Sequence, residues 1–153
     1  MSTLTTNPSG IRIIELPQCT MATSHGHTLE AFDTWWSALD RTRTDRFYPR
    51  DFMYYDSAAS QLVWLYALPN GADSGPFQTI GFAGGLYAAR ISKDGDDADG
   101  ERVMHEIKRW VSDTGYLADD EGPARPTLFH VITSDSAFAK MKHRQLDIYV
   151  PVK

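Results

Sequence analysis

Leu146-Asp147-Ile148-Tyr149-Val150-Pro151-Val152 changes side-chain character from one residue to the next. Such period-two alternation marks a strand with two unlike faces, because successive side chains point to opposite sides of a sheet. Leu146, Ile148 and Val150 make an aliphatic face, while Asp147 and Tyr149 point the other way. The same split recurs in Gln61-Leu62-Val63-Trp64-Leu65-Tyr66-Ala67-Leu68. Val63, Leu65 and Ala67 share one side, and Leu62, Trp64, Tyr66 and Leu68 share the other. The smaller aliphatic sets suit packing beneath a helix, and the larger aromatic sets suit the wall of a pocket. The alternative is that Trp64 and Tyr66 are core and Asp147 meets solvent.

Outward from the terminal strand, the pattern gives a strand at Leu128 to Thr133, preceded by a loop from Asp119 to Pro126. A helix is predicted from Glu101 to Thr114, with Val103, Ile107, Trp110 and Val111 as its apolar stripe and Gly115 as its stop. The polar stretch Lys93 to Gly100 reads as a loop, and Phe82 to Ile91 as a strand. Residues 69–76, rich in Pro, Gly and Asp, form a break. Before it come two strands, Phe52 to Asp56 and Gln61 to Leu68, joined by Ser57-Ala58-Ala59-Ser60. A helix from Leu29 to Arg41 is capped by Thr28, carries Glu30 in its first turn, and has an apolar stripe at Leu29, Phe32, Trp36 and Leu39. Extended segments precede it at Ile11 to Leu16 and Cys19 to Ser24. Residues 1–10 read as a disordered tail. The order strand–helix–strand–strand therefore occurs twice, over 11–68 and 82–152. This is an α+β arrangement in which two helices cover one face of an antiparallel sheet. If the sheet curves, its second face offers a cleft.

Composition narrows the function classes. The 153 residues fit one domain or two fused half-domains. Lys and Arg number 15 against 20 Asp and Glu, so the formal net charge is −5. A protein that grips duplex DNA by its phosphates needs clustered cations. The only dense stretches, Arg41 to Arg46 and Lys140 to Arg144, are short and mixed and read as solvated surface. Direct nucleic-acid binding is not expected. Cys19 is the single cysteine, which excludes an intrachain disulfide and suits a reducing, cytoplasmic setting. It is expected to be buried and inert. The start of the chain has no signal-peptide pattern, and the longest apolar stretch, Leu62 to Leu68, is too short to cross a bilayer.

Aromatics make up 12% of the chain, and most belong in a core. A carboxylate beside rings suits an organic cation, through charge attraction and cation–π contact. The same surroundings can raise the acid's pKa and turn it into a general acid or base. The sequence leaves both roles open for Asp147.

Four further motifs match no metal or phosphate site. His25-Gly26-His27 could point two rings the same way, but no acidic or Cys cluster joins them, so no metal is expected. His105 and Glu106 lack a His-Glu-x-x-His pattern. The run Asp94 to Glu101 fails the spacing of a calcium loop and instead puts negative charge near a helix start. Phe82-Ala83-Gly84-Gly85 is followed by no Gly-Lys-Ser/Thr and is not a phosphate loop. No cofactor is expected.

Two stretches carry a family resemblance. Leu146 to Lys153 resembles the terminal strand of GyrI-like domains, the effector-binding domains of AraC- and MerR-type multidrug regulators. Gly84-Gly85-Leu86-Tyr87-Ala88-Ala89 resembles the Gly-x-Tyr-Ala strand that opens the second repeat of that family. The helix ending near Trp110 and the stop at Gly115-Tyr116 fit as well, so the resemblance runs from Ile11 to Lys153. It implies two β-α-β-β repeats, a shared sheet and a ligand cleft between the repeats. It also implies an acid four positions before the Pro, aimed into the cleft. Here that acid is Asp147, shorter than the usual Glu. A Glu and a Tyr common in the preceding strand correspond to His130 and Ile132, a departure that bears on ligand charge. The residues before Ile11 are too few for a helix-turn-helix module, which implies a stand-alone form.

Three functions follow from the resemblance. The first is a sensor or sequestering domain for hydrophobic ligands, cations included, with Trp64, Tyr66, Tyr87 and Tyr149 as walls and Asp147 as anchor. The second is a cofactor-independent hydrolase of cyclopropane-type or other electrophiles, in which Asp147 activates water with help from Tyr149 or His130. The third is a gyrase-inhibitor-like protein that mimics nucleic acid with the acidic loops Asp94–Glu101 and Asp119–Glu121.

Overall fold

A computed structural model describes residues 10–44 and 50–153. The reading of the N-terminal tail, Gly10 apart, and that of Asp45 and Arg46 fall outside the described residues. In chain order the elements are β1 (Arg12–Leu16), β2 (Cys19–Thr23), α1 (Leu29–Asp40), β3 (Asp51–Asp56), β4 (Gln61–Ala67), β5 (Gln78–Phe82), β6 (Gly85–Lys93), α2 (Asp97–Thr114), β7 (Leu128–Val131), α3 (Asp135–Met141) and β8 (Gln145–Val152). The α+β class expected from the sequence is the class observed. The chain divides into two compact units. One holds the described residues up to Leu16 together with Gly85–Lys153, and the other holds Pro17–Gly84.

In the Pro17–Gly84 unit the strands run β3-β4-β2-β5, and each neighbouring pair is antiparallel. Thr28 caps α1 by accepting a bond from the Ala31 backbone N–H at 3.1 Å. Phe32, Trp35, Trp36 and Leu39 of α1 pack against Trp64, Tyr66 and Leu68. This corrects the sequence reading of β4. Its aromatic set, not Val63, Leu65 and Ala67, lies beneath the helix. Val63 and Leu65 are also fully buried, so both faces of β4 are covered. Alternation reveals which residues share a face but not which face receives the helix. Here α1 brings its own large rings, and these interdigitate with large rings on the strand.

In the other unit the order is β1-β6-β8-β7, again with antiparallel neighbours. Val103, Ile107 and Val111 of α2 form a core with Ala88, Ile148, Val150 and Val152. The aliphatic face of β8 thus does lie beneath a helix, as read. Burying a side chain such as Ile107 removes about 1.5–3 kcal/mol of unfavourable water contact. Helix α2 begins at Asp97, earlier than expected, because Asp96 caps it by accepting from the Asp99 N–H at 3.0 Å. Asp97 and Asp99 occupy the first turn, where the helix dipole favours negative charge. Gly100 and the run of acids gave this segment the composition of a loop. Gly115 closes α2 with φ of 68°.

Two elements went unread in the sequence, and one was merged. Strand β5 lies in the stretch before Phe82, which carried no assignment. The expected strand Phe82 to Ile91 is interrupted at Ala83 and Gly84, and the φ angles of Gly84 and Gly85, 71° and 114°, turn the chain there. Helix α3 is short and buries no residue, so it leaves no apolar stripe to read. Its cap is Ser134, which accepts from the Ala137 N–H at 3.2 Å. Cys19 is half-buried rather than buried. Burial pushes its thiol pKa up, which suits an unreactive residue. No helix among the described residues is long and apolar enough to cross a membrane.

Candidate functional site

The face of the β1-β6-β8-β7 sheet opposite α2 carries most of the expected site residues. The register lays them out in rows. Ile91, Asp147 and His130 pair across β6, β8 and β7. Arg12, Ala89, Tyr149 and Leu128 form the next row, and Ile14, Tyr87 and Pro151 the one after. Directly paired residues in a ladder project to the same face. Tyr87, Asp147 and Tyr149 are therefore brought together by strand pairing alone.

Asp147 is 2% exposed. The Tyr149 hydroxyl donates to its Oδ2 at 3.0 Å, and the Arg12 guanidinium donates to Oδ1. Arg12 stands on β1, two strands from β8, and pairs in the register with Ala89 of the intervening β6. The two ends of the pair differ in solvation. The Arg12 side chain is 48% exposed, against 4% for that of Asp147. A buried carboxylate without compensation costs several kcal/mol, and Arg12 supplies the compensation from the solvent side. Tyr149 meets Tyr87 edge-to-face, with ring centroids 6.4 Å apart.

Beyond Tyr87 stands Arg125, its guanidinium 4.7 Å from the ring centroid. It donates to the backbone carbonyls of Leu86 at 2.9 Å and Val152 at 3.1 Å, and to Asp120 at 2.9 Å. Burial raises the Tyr87 pKa, and the opposing hydrogen bond from Arg125 does not cancel that rise. Arg125 therefore pins the loop before β7 to the ends of β6 and β8. His130 lies opposite Asp147 in the register and is half-buried. Ile132 is largely exposed.

Trp64 and Tyr66 are spent differently. Both belong to the aromatic cluster under α1, with Trp36 centred 5.5 Å from each ring. The Trp64 indole donates to Asp51 at 3.2 Å, and the Tyr66 hydroxyl donates to Asp40 at 3.0 Å. Tyr66 is fully buried in that cluster and Trp64 is half-buried against it. A pocket of about 250 Å³ lies elsewhere, lined by Ile91, Lys93, Asp99, His143 and Gln145 among others. Of the rows above it shares only Ile91. Among the described residues no group of three or more His, Cys, Asp or Glu could hold a metal ion.

Sequence reasoning missed Arg12 and Arg125. The signal for Arg12 was available: it is the lone charge in Ile11-Arg12-Ile13-Ile14, and a cation on one face of a short strand invites a partner. Nothing local marked Arg125 as tying strands together, since the carbonyls it holds, Leu86 and Val152, lie on distant strands.

No protein-family model and no curated protein matches this chain. Solved structures do match it. SAV2435 bound to tetraphenylphosphonium aligns with a TM-score of 0.56 at 12% identity, covering 94% of this chain and 93% of that one. A hydrolase from Listeria innocua aligns with a TM-score of 0.61 at 13% identity, over 98% of this chain and 95% of that one. The EcmrR C-terminal domain aligns with a TM-score of 0.59 at 13% identity, over 94% and 96%. At such identities the likeness is one of fold, and the chain has the α+β fold that these three proteins share.

Proposed function

We propose that this protein is a small-molecule-binding domain of the GyrI-like kind, a sensor or sequestering protein for hydrophobic ligands that carry positive charge. The observation that carries the reading is the Asp147 carboxylate, buried on the sheet face opposite α2 with the rings of Tyr149 and Tyr87 nearby. A carboxylate in that setting favours a cation, and aromatic rings reward a cation that is also apolar. SAV2435, solved with a lipophilic phosphonium cation, supports the same ligand class. The resemblance of Leu146 to Lys153 to effector-binding domains supports it further.

A hydrolase reading draws support from the fold of the Listeria innocua hydrolase and from the Tyr149–Asp147 hydrogen bond. It is the weaker of the two. Both carboxylate oxygens of Asp147 already accept bonds, one from a guanidinium and one from a phenol, so neither is positioned to take a proton from water. The nucleic-acid mimic has less support still. Asp99 binds Arg102, Asp120 binds Arg125, and Glu121 binds Lys108, so these acids are paired within the chain.

Titration calorimetry with tetraphenylphosphonium tests the proposal. Asp147→Asn is expected to weaken binding by about 10–100-fold, the worth of a hydrogen-bonded charge. Equal affinity in both proteins would overturn the role of Asp147. Turnover of a cyclopropane electrophile, lost in the same variant, would favour the hydrolase.

A further inference from the structure

Among the described residues Asp147 has one cationic partner, and that partner is not buried with it. The guanidinium of Arg12 caps the carboxylate from an edge position on β1, with half of its side chain in water. Among the described residues its side chain bonds to Asp147 alone. Arg12 therefore loses little by moving away, because water can solvate its charge. Asp147 loses much, because its surroundings cannot. In the register the small Ala89 stands between Arg12 and Tyr149.

We propose that Arg12 is the specificity-determining residue of this site: it is a tethered cation seated on Asp147, and a ligand binds by replacing it. This inference rests on the small-molecule-binding reading above. It defines the ligand class more narrowly. A neutral molecule that displaced Arg12 would strand a buried charge, and an anion would add repulsion to that cost. Only a cation restores the balance, and only an apolar cation gains from the rings beside the seat. The exchange also sets affinity, since each ligand competes with an arm present at high effective concentration.

The experiment uses the full chain, tetraphenylphosphonium, and tetraphenylborate as an anion of the same shape. Arg12→Met removes the competing charge and keeps the side chain's length. It is expected to raise affinity for tetraphenylphosphonium about tenfold, the reward for removing a competing tethered group. The gain is expected to vanish in the Arg12→Met/Asp147→Asn double variant. Wild-type protein supplies a second readout that needs no variant to fold. Phenylglyoxal labelling of Arg12, followed by peptide mass spectrometry, is expected to speed up when tetraphenylphosphonium is bound and to stay unchanged with tetraphenylborate. Suppose tetraphenylphosphonium binds wild type and depends on Asp147, yet Arg12→Met gives no gain and labelling does not change. The Arg12 assignment then falls while the binding reading stands. Binding to neither wild type nor Arg12→Met would overturn both. Equal affinity for the phosphonium and the borate would overturn the exchange of charge.

Discussion

Among the described residues the Tyr149 hydroxyl is the one side-chain donor to Asp147 besides Arg12, and it is buried. Tyr149→Phe keeps the ring against Tyr87 and removes one bond to the carboxylate. The expected cost is about 1 kcal/mol of stability by urea denaturation. Loss of several kcal/mol would mean that the hydroxyl serves more partners than the carboxylate. Asp147 also shows where a residue-level reading succeeds. Its position in an alternating strand fixed its face, and its charge fixed its need for a partner. The partner's identity came from register, which places Arg12 one row away across β6.

Elements are joined here by a few side chains that reach backbone. Arg125 ties the carbonyls of Leu86 and Val152 to the loop before β7. Gly85 lies directly under that guanidinium: an added Cβ would sit 2.9 Å from Nη2, at a φ of 114° that side chains rarely adopt. Gly85→Ala is therefore expected to destabilise by about 1–3 kcal/mol from backbone strain, with the displaced arginine adding to it. A thermal melt would check this, and an unchanged midpoint would mean that the turn at Gly84-Gly85 relaxes freely. Packing under α2 sets a larger scale. Ile107→Ala, at a fully buried position, is expected to cost about 2–5 kcal/mol. A loss below 1 kcal/mol would show that the α2 core collapses around the gap.

Across the whole molecule, ionisation sets the pH range of stability. Burial raises the pKa of Tyr54, Tyr66 and Tyr87 above the ordinary 10.0. The folded chain thus holds these protons more tightly than the unfolded chain does. Their contribution is complete below pH 10 and is lost as pH rises through the folded values. Lys108, raised from 10.5 chiefly by its hydrogen bond to Glu121, acts in the same direction. At the acid end the sign reverses. The bond from Arg102 lowers Asp99, and the bond from Arg125 lowers Asp120. Burial opposes the fall in Glu121, but bonds from Lys108 and Thr127 outweigh it. These contributions are present above the unfolded values of 3.8 and 4.5 and disappear as pH drops through the folded ones. Denaturation midpoints against pH are expected to fall off on both sides, and Glu121→Gln is expected to flatten the acid limb. A variant with the same acid limb as wild type would remove Glu121 from this account.

What the sequence determined by itself was whatever local periodicity and caps can carry. Thr28 and Gly115 marked helix ends, and alternation in β8 separated Ile148 and Val150 from Asp147 and Tyr149. Period two and period 3.6 are properties of a single segment, so they survive without knowledge of its neighbours. The tertiary structure decided the rest, because pairing and packing are relations between distant segments. Only the register set Arg12 within reach of Asp147. Only the docking of α1 put Trp64 and Tyr66 beneath a helix, since a strand's own sequence does not say which of its two faces a helix will cover.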